Sequence, residues 1–177
     1  MIQGTLARRT IRFVNIAHTF DHFILLIYPT AVLAIAAGRG LSYAELIGLS
    51  TGAFVAFGLF SLPAGWLADR IGRRNLFAIF FLGYGASCMA LAFAVIPLHF
   101  AGGLLILGVF SAIYHPVGAV MLVSHTDRLG RDLGLNGVCG NMGAALAAGV
   151  TAMIASAFGW QAAFLVPGAV CVLAGVA

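Results

Sequence analysis

The residues best suited to chemistry lie in the first long apolar segment, which carries four polar side chains at helical spacing. Asn15, His18, Asp21 and His22 fall within a sector of roughly 120° at 3.6 residues per turn, so a helix places them on one face. If the segment spans a membrane, such groups face a bundle interior or a cavity. We predict a proton-binding or substrate-binding stripe, with Asp21 paired to an imidazole that titrates near neutral pH. The alternative is that these residues form a hydrated cluster near the end of the helix that has only a structural role.

A second set of candidates lies in a later apolar segment, at Tyr114, His115 and Pro116. Proline removes a backbone donor and frees a carbonyl in the preceding turn, and such breaks are tolerated where they line a cavity. We therefore add Tyr114 and His115 to the predicted proton-binding or substrate-binding set, together with Asn141 from a further apolar segment. A simple kink with a packed, hydrogen-bonded histidine is an equal alternative for His115.

The pattern His18-x-x-Asp21-His22 also resembles an inverted metalloprotease motif, with Asp where Glu is usual. Two histidines at i and i+4 can share a metal ion. The sequence shows no well-placed third ligand, although His115 could approach in space. A membrane metalloenzyme is therefore a remote alternative, and we predict no resident metal, no cofactor and no enzymatic activity.

The elements that must position these residues are membrane spans. Of 177 residues, 62% are hydrophobic and only 8% are charged, whereas a soluble domain is about half apolar and a quarter charged. At about 20 residues per span the chain has room for about six helices. We predict an all-α polytopic membrane protein with helices over 13–37, 43–68, 75–96, 100–123, 133–158 and 162–177. The last is at the lower length limit, and Pro63 is a predicted kink.

The net charge of +4 is not a nucleic-acid signal, because the basic residues are all arginines and are grouped. Eight of them fall in three segments that alternate with weakly charged ones, as expected for the cytoplasmic ends of a multi-span bundle. This alternation places the N-terminus in the cytoplasm. The three segments contain Arg8, Arg9 and Arg12; Arg70, Arg73 and Arg74; Arg128 and Arg131.

Short internal similarities support two repeats of three helices. Tyr28 and Tyr114, each shortly before a proline, are separated by 86 residues. The pairs Gly48-Leu49 and Gly134-Leu135 show the same separation of 86 residues. Because three spans per repeat is an odd number, the second repeat must be inverted in the membrane.

The densest charge cluster gives the first resemblance to a known family. The run Gly65-x-Leu67-Ala68-Asp69-Arg70-x-Gly72-Arg73-Arg74 resembles the loop signature between the second and third helices of major facilitator superfamily transporters. That resemblance implies a twelve-helix fold, of which residues 1–177 form the N-terminal six-helix half. It also implies that this loop is a conformational latch between the halves, formed by Gly65, Asp69, Arg70, Gly72, Arg73 and Arg74.

Within the superfamily, the chain resembles the fosmidomycin-resistance-like branch. The residues that carry this likeness are His18 with its acidic neighbour ahead of Tyr28-Pro29, the aromatic-His115-Pro116 sequence, and Gly140-Asn141-x-Gly143. The arginine that the family usually places on the fourth helix is absent, which puts arginine-based proton coupling in doubt. Close helix packing is predicted at four glycines of the fifth helix, namely Gly134, Gly137, Gly140 and Gly143.

The resemblance implies secondary active transport by alternating access, with proton-coupled export of a small amphiphilic molecule across a bacterial inner membrane. The expected partners are this substrate, protons, the lipid bilayer and either a C-terminal half or a second copy of the chain, with no nucleic acid. Two other readings stay open. The chain could be a half-size carrier that works as a homodimer, or a membrane scaffold that assists assembly and transports nothing.

Overall fold

The computed structural model describes residues 2–39 and 42–176, and this part of the chain is helical throughout, without strands. Its helices, in chain order, are α1 (Ile2–Leu25), α2 (Ile27–Arg39), α3 (Tyr43–Gly48), α4 (Thr51–Ile71), α5 (Arg73–Leu91), α6 (Pro97–Ser111), α7 (Tyr114–His125), α8 (Leu129–Phe158) and α9 (Trp160–Val176).

These helices form membrane-length segments in the predicted order. Five stretches are long and apolar enough to span a bilayer, and α9 is an apolar helix of 17 residues that falls just short of that length. The prediction of an all-α polytopic protein is confirmed. The five stretches are Thr5–Gly38, Tyr43–Ile71, Arg73–Leu91, Pro97–His125 and Leu129–Phe158.

Some helix boundaries differ from the predicted ones. The first helix begins at Ile2 rather than near residue 13, because Leu6, Ala7 and the three arginines of this segment are good helix formers. The third predicted helix begins at Arg73 rather than at residue 75. Both arginine-rich segments therefore belong to helix ends rather than to loops.

Three of the predicted continuous spans are interrupted. The first breaks at Leu26, the second at Leu49–Ser50 and the fourth at Ala112–Ile113. Pro29 and Pro116 explain two of the interruptions, since a proline clashes with the carbonyl four residues earlier and donates no hydrogen bond. By contrast, α4 continues through Pro63, so the second span is interrupted well before the predicted kink.

The interruptions repeat along the chain. Helices α1 and α6 end at Leu25 and Ser111, which are 86 residues apart. Gly72 and Gly159, both with φ of 88°, separate the second and third spans of each repeat. Helix α1 packs along α8, α4 packs along α6, and α5 packs along α9. The first span of each repeat thus contacts the second span of the other, as two related three-helix repeats require.

Glycines allow these helices to touch backbone to backbone. A Cβ atom added at Gly143 would overlap the carbonyl oxygen of Thr19, and one added at Gly108 would overlap that of Ala53. These contacts join α1 to α8 and α4 to α6, and they depend on the absence of a side chain. A Cβ atom on Gly140 would overlap the imidazole of His18. The predicted close packing is thus present at Gly140 and Gly143.

The prediction of close packing is wrong for Gly134 and Gly137, judged against the described residues. Cβ atoms added at Gly134 and Gly137 would meet no atom within 4 Å. The reason is the path of α8, because its first turns are largely exposed while the turns around Gly140 and Gly143 lie against α1.

An alanine scan of α8 tests this assignment. Gly143→Ala should lower the free energy of unfolding by about 1–3 kcal/mol, because the new methyl group overlaps the Thr19 carbonyl. Gly137→Ala should leave stability unchanged or raise it by up to about 1 kcal/mol, because alanine is the better helix former and the site is open. Thermal unfolding of the purified protein in detergent measures both. Equal destabilisation by the two substitutions would contradict the packing described here.

Candidate functional site at the helix breaks

The centre of the candidate site is the carboxylate of Asp21 on α1, a residue that is only 2% exposed. The hydroxyl of Ser111 donates a hydrogen bond of 2.6 Å to Oδ1. Nε2 of His115 lies 3.4 Å from Oδ2. The Tyr84 hydroxyl also donates to the backbone carbonyl of Asp21 at 2.7 Å. Asp21 is thus held by α5 and by residues on both sides of the α6–α7 break.

Three imidazoles lie beside this carboxylate. Nδ1 of His18 lies 2.8 Å from the backbone carbonyl of Asn136, which can only accept, so Nδ1 carries the proton of the neutral ring. Nε2 of His18 is then an acceptor, and Nε2 of His22 donates to it at 3.1 Å. The ring centroid of His115 lies 5.4 Å from that of His18 and 5.8 Å from that of His22. The predicted stripe on α1 therefore meets the predicted histidine of α7.

This cluster opens to the surface of the chain on one side. The His115 side chain is 46% exposed, and the edge of Phe57 contacts it with ring centroids 5.6 Å apart. On the inner side His18 stacks on Tyr114, with centroids 4.6 Å apart. The site combines buried hydrogen-bonded groups with one accessible imidazole, so a proton or a small ligand could reach it.

Among the described residues, these three histidines are also the group that could hold a metal ion. One nitrogen from each of His18, His22 and His115 lies within 4.8 Å of the others. Three protein ligands with an open position are typical of zinc sites that bind a further molecule. His115 is the third ligand that the sequence alone could not place.

Asn136 on α8 is a member of the site that sequence reasoning missed. Its side-chain amide donates to Oδ1 of Asn15 at 2.9 Å and lies 3.0 Å from the hydroxyl of Tyr114. Its backbone carbonyl accepts the His18 bond described above. Asn141 was predicted for this set, but it lies on an exposed part of α8. Five residues correspond to a rotation of about 140° around the helix, so the two asparagines face different directions.

Ser111 was also missed. A serine in an apolar helix commonly bonds a carbonyl of its own helix, so nothing in the sequence distinguishes it from other serines. Its role follows from its position as the last residue of α6, where the helix break turns the hydroxyl toward Asp21.

The predicted latch, residues 65–74, forms the junction between α4 and α5. Gly72 adopts the positive φ that the reversal requires. Asp69 lies 3.5 Å from Arg73, and the guanidinium of Arg70 lies 3.8 Å from the ring centroid of Trp66. A Cβ atom on Gly65 would make ordinary contact with Pro116 at 3.6 Å. The segment therefore packs against the residue that follows His115.

Comparison with known proteins identifies the family of this fold. The family model of the Major Facilitator Superfamily matches residues 13–177. The chain belongs to the major facilitator superfamily. This agrees with the prediction of a multi-pass membrane protein of a transporter family rather than an enzyme.

Two individual members illustrate the relationship. The chain is 29% identical over 119 residues to the inner membrane metabolite transport protein YgcS of Escherichia coli strain K12. The matched region covers 66% of this chain and 26% of that protein. The solved structure of the POT family transporter PepTSo matches with a TM-score of 0.79 at 21% identity. That match covers 95% of this facilitator chain and 36% of PepTSo, so the chain spans about a third of its length.

Substitution of Asn136 tests whether the polar network holds the site together. Asn136→Ala should lower the free energy of unfolding by about 1–3 kcal/mol, because it leaves buried polar groups of Asn15 and Tyr114 without a partner. Asn141→Ala, on the same helix but exposed, should change it by less than about 0.5 kcal/mol. Thermal unfolding of both variants provides the measurement. An effect at Asn141 as large as that at Asn136 would show that this network is not what stabilises the helices here.

Proposed function

We propose that the chain forms one six-helix half of a secondary active transporter that works by alternating access, and that its helix-break cluster is the proton-binding and substrate-binding centre. The observation that supports this most strongly is the buried Asp21 carboxylate, shared between Ser111 and His115 at the break between α6 and α7. A buried ionisable group in a membrane span is expensive and usually functional. The family assignment makes transport the natural use of such a site.

The proposed proton coupling follows from the geometry of Asp21. Charged Asp21 attracts a protonated His115 and accepts the Ser111 hydroxyl. A proton that arrives through the exposed face of His115 and passes to Asp21 neutralises the carboxylate and weakens its attraction for the imidazole. His115 is then free to turn toward a ligand. The other titratable groups facing this pair are His18 and His22 of α1 and the Tyr84 and Tyr114 hydroxyls.

The proposed substrate is a small amphiphilic molecule. The accessible side of the site offers the edge of Phe57 next to the polar imidazole of His115, which suits a ligand with one apolar and one polar end. The relative named as a metabolite transport protein supports a small molecule as cargo. The likeness to the fosmidomycin-resistance-like branch makes export the proposed direction and fosmidomycin the first compound to test.

The proposed membrane is the bacterial inner membrane, with the N-terminus on the cytoplasmic side. The support is electrostatic, because Arg9 of α1, Arg73 and Arg74 of α5 and His125 of α7 surround one cavity at the same end of the bundle. Short segments rich in arginine are retained in the cytoplasm. A homodimeric half-size carrier or a non-transporting scaffold would share this orientation, so transport itself must be tested.

Asp21→Asn is the variant that tests coupling in the full-length protein. The substitution keeps the shape and the Ser111 bond but removes the charge, so export driven by a proton gradient should fall by at least about a hundredfold. Asp127→Asn, which removes a charge from the exposed α7–α8 connection, is the matched control and should retain export. Fosmidomycin efflux from proteoliposomes with an imposed pH gradient, in buffer containing a chelator, is the assay.

Either of two efflux results would contradict this proposal. Wild-type protein that moves fosmidomycin at the same rate with and without the gradient would remove proton coupling. Unchanged gradient-driven efflux in Asp21→Asn would show that coupling lies elsewhere. If the wild-type protein moves no fosmidomycin, direct proton uptake into the same vesicles still compares Asp21→Asn with Asp127→Asn, and no difference would contradict the role of Asp21.

The latch assignment predicts a separation of stability from transport. The Asp69 and Arg73 side chains are 72% and 44% exposed, and an exposed ion pair contributes about 0–1 kcal/mol to stability. Asp69→Asn should therefore leave thermal unfolding nearly unchanged but lower the transport rate of the full-length protein several-fold. Asp132→Asn, at the start of α8, is a control with the same charge change. Unaltered transport in Asp69→Asn would contradict a latch function for this segment.

A further inference from the structure

A cavity separate from the helix-break cluster lies at the end of the bundle that carries the arginines. It has a volume of about 780 Å³ and is enclosed by the beginning of α1, the beginning of α5 and the ends of α7 and α9. None of the helix-break cluster residues lines it. Its volume is within the range of about 300–1,000 Å³ that is typical of ligand sites.

The lining divides into a basic rim and an apolar floor. Arg9, Arg73, Arg74 and His125 supply the rim, and no acidic side chain among the described residues lines the cavity. Asp69 lies 3.5 Å from Arg73 but does not line the cavity. The floor is apolar and half of its larger side chains are aromatic, with Leu6, Phe13, Phe77, Phe81, Met121 and Val176.

The rim suits a phosphate group. Each guanidinium offers planar donors that bind two phosphate oxygens at once. Within the described residues Arg9 and Arg74 form no ion pair, so their donors are not committed to a carboxylate. Arg9 and Arg74, which pair with no acid among the described residues, raise the local positive potential beside the paired Arg73 and favour an anionic ligand.

The floor excludes a purely soluble anion as the best fit. A free phosphate would contact the rim and leave the exposed Leu6 and Val176 side chains and the half-buried Phe13 ring uncovered, whereas the Phe77 and Phe81 rings are already buried. These rings pack edge to face, with centroids 6.0 Å apart for Phe13 and Phe81 and 5.8 Å apart for Phe77 and Phe81. An amphiphile with a phosphate head and hydrocarbon tails would satisfy both parts of the cavity.

The position of the cavity agrees with a lipid as that amphiphile. Arg73 begins one membrane-length stretch, His125 ends another, and Arg9 lies one turn inside the stretch that starts at Thr5. These side chains therefore lie near the level where a bilayer places its phosphate groups. Basic pockets between spanning helices at this level typically bind anionic lipid head groups.

We propose that this cavity is a binding site for one anionic phospholipid, with its phosphate on Arg9 and Arg74 and its tails against the aromatic floor. The inference does not rest on the transport activity proposed above. The cavity nevertheless lies close to the helix-break cluster, because the ring centroid of Phe77 in its floor is 6.1 Å from that of Tyr114, which stacks on His18.

Native mass spectrometry of the full-length protein with added phosphatidylglycerol tests the proposal. Phosphatidylcholine supplies the tails without net charge, and inorganic phosphate supplies the anion without tails. The wild-type protein should retain phosphatidylglycerol at least about tenfold better than phosphatidylcholine. The double substitution R9Q/R74Q should weaken phosphatidylglycerol binding about thirtyfold, because two arginines near the membrane surface are removed.

The matched control removes the same charge outside the cavity. R8Q/R128Q changes two exposed arginines that do not line it, and it should change binding by less than about threefold, the difference expected when only screened, distant charge is lost. Ala78→Leu fills the floor without changing any charge and should also weaken lipid binding. Ala86→Leu, on an exposed position of the same helix, is its control.

Several results would overturn the lipid assignment. Equal binding of phosphatidylglycerol and phosphatidylcholine, or equal losses in R9Q/R74Q and R8Q/R128Q, would show that the basic rim does not select the ligand. Inorganic phosphate that competes fully with the lipid, with no effect of Ala78→Leu, would assign the rim to a soluble anion. If R9Q/R74Q does not fold, the Ala78→Leu and Ala86→Leu pair decides the question.

Discussion

The structure depends on one constraint, which is that a carboxylate buried in an apolar bundle must be given partners. Asp21 meets this requirement with the Ser111 hydroxyl and the His115 imidazole. These partners come from the two sides of a helix break in another span. An unpartnered buried carboxylate would be costly, so the contact fixes the position of α1 relative to α6 and α7. The backbone carbonyl of the same residue accepts a hydrogen bond from Tyr84, so α5 is fixed against α1 as well.

The helix breaks make these contacts possible. In a continuous helix the backbone carbonyls are hydrogen-bonded within the helix, and only side chains three or four residues apart share a face. The interruptions at Leu26 and at Ala112–Ile113 turn the chain close to the site, and both precede a proline by a few residues. Because the interruptions occur at corresponding positions of two repeats, the polar cluster lies where the repeats meet. Secondary transporters commonly place their sites where two repeats meet, and the chain belongs to the major facilitator superfamily.

The sequence predicted the fold well because the signals for it are local. Length, hydropathy and the 3.6-residue period are properties of single segments, so the helices, the stripe on α1 and the importance of His115 could all be inferred. The 86-residue spacing of Tyr28 and Tyr114 even indicated the repeat. The glycines of α8 could be predicted only in part, since their spacing is uniform while their neighbours in space are not.

The rest could not be predicted because it depends on contacts between distant segments. Asn136 and Asn141 look alike in sequence, and only the rotation of α8 against α1 selects Asn136 for the network. Ser111 gains its role from the end of α6. The basic cavity requires four helix ends to converge, whereas in the sequence each of its arginines indicates only the orientation of a span.

The measurement that tests the central claim most directly is the accessibility of the helix-break cluster from the two sides of the membrane. In the full-length protein, with Cys88, Cys139, Cys171 and any cysteine outside residues 1–177 replaced by alanine, His22→Cys provides a single thiol within the cluster. We predict that a membrane-impermeant thiol reagent labels this cysteine from each side, in right-side-out and in inside-out vesicles, because alternating access opens the site to both. A control at Leu33→Cys, whose side chain is 64% exposed on the apolar α2 and is expected to face lipid, should not react from either side. Labelling of position 22 in neither kind of vesicle, or in only one of the two kinds, would contradict the account of this cluster as the transport centre.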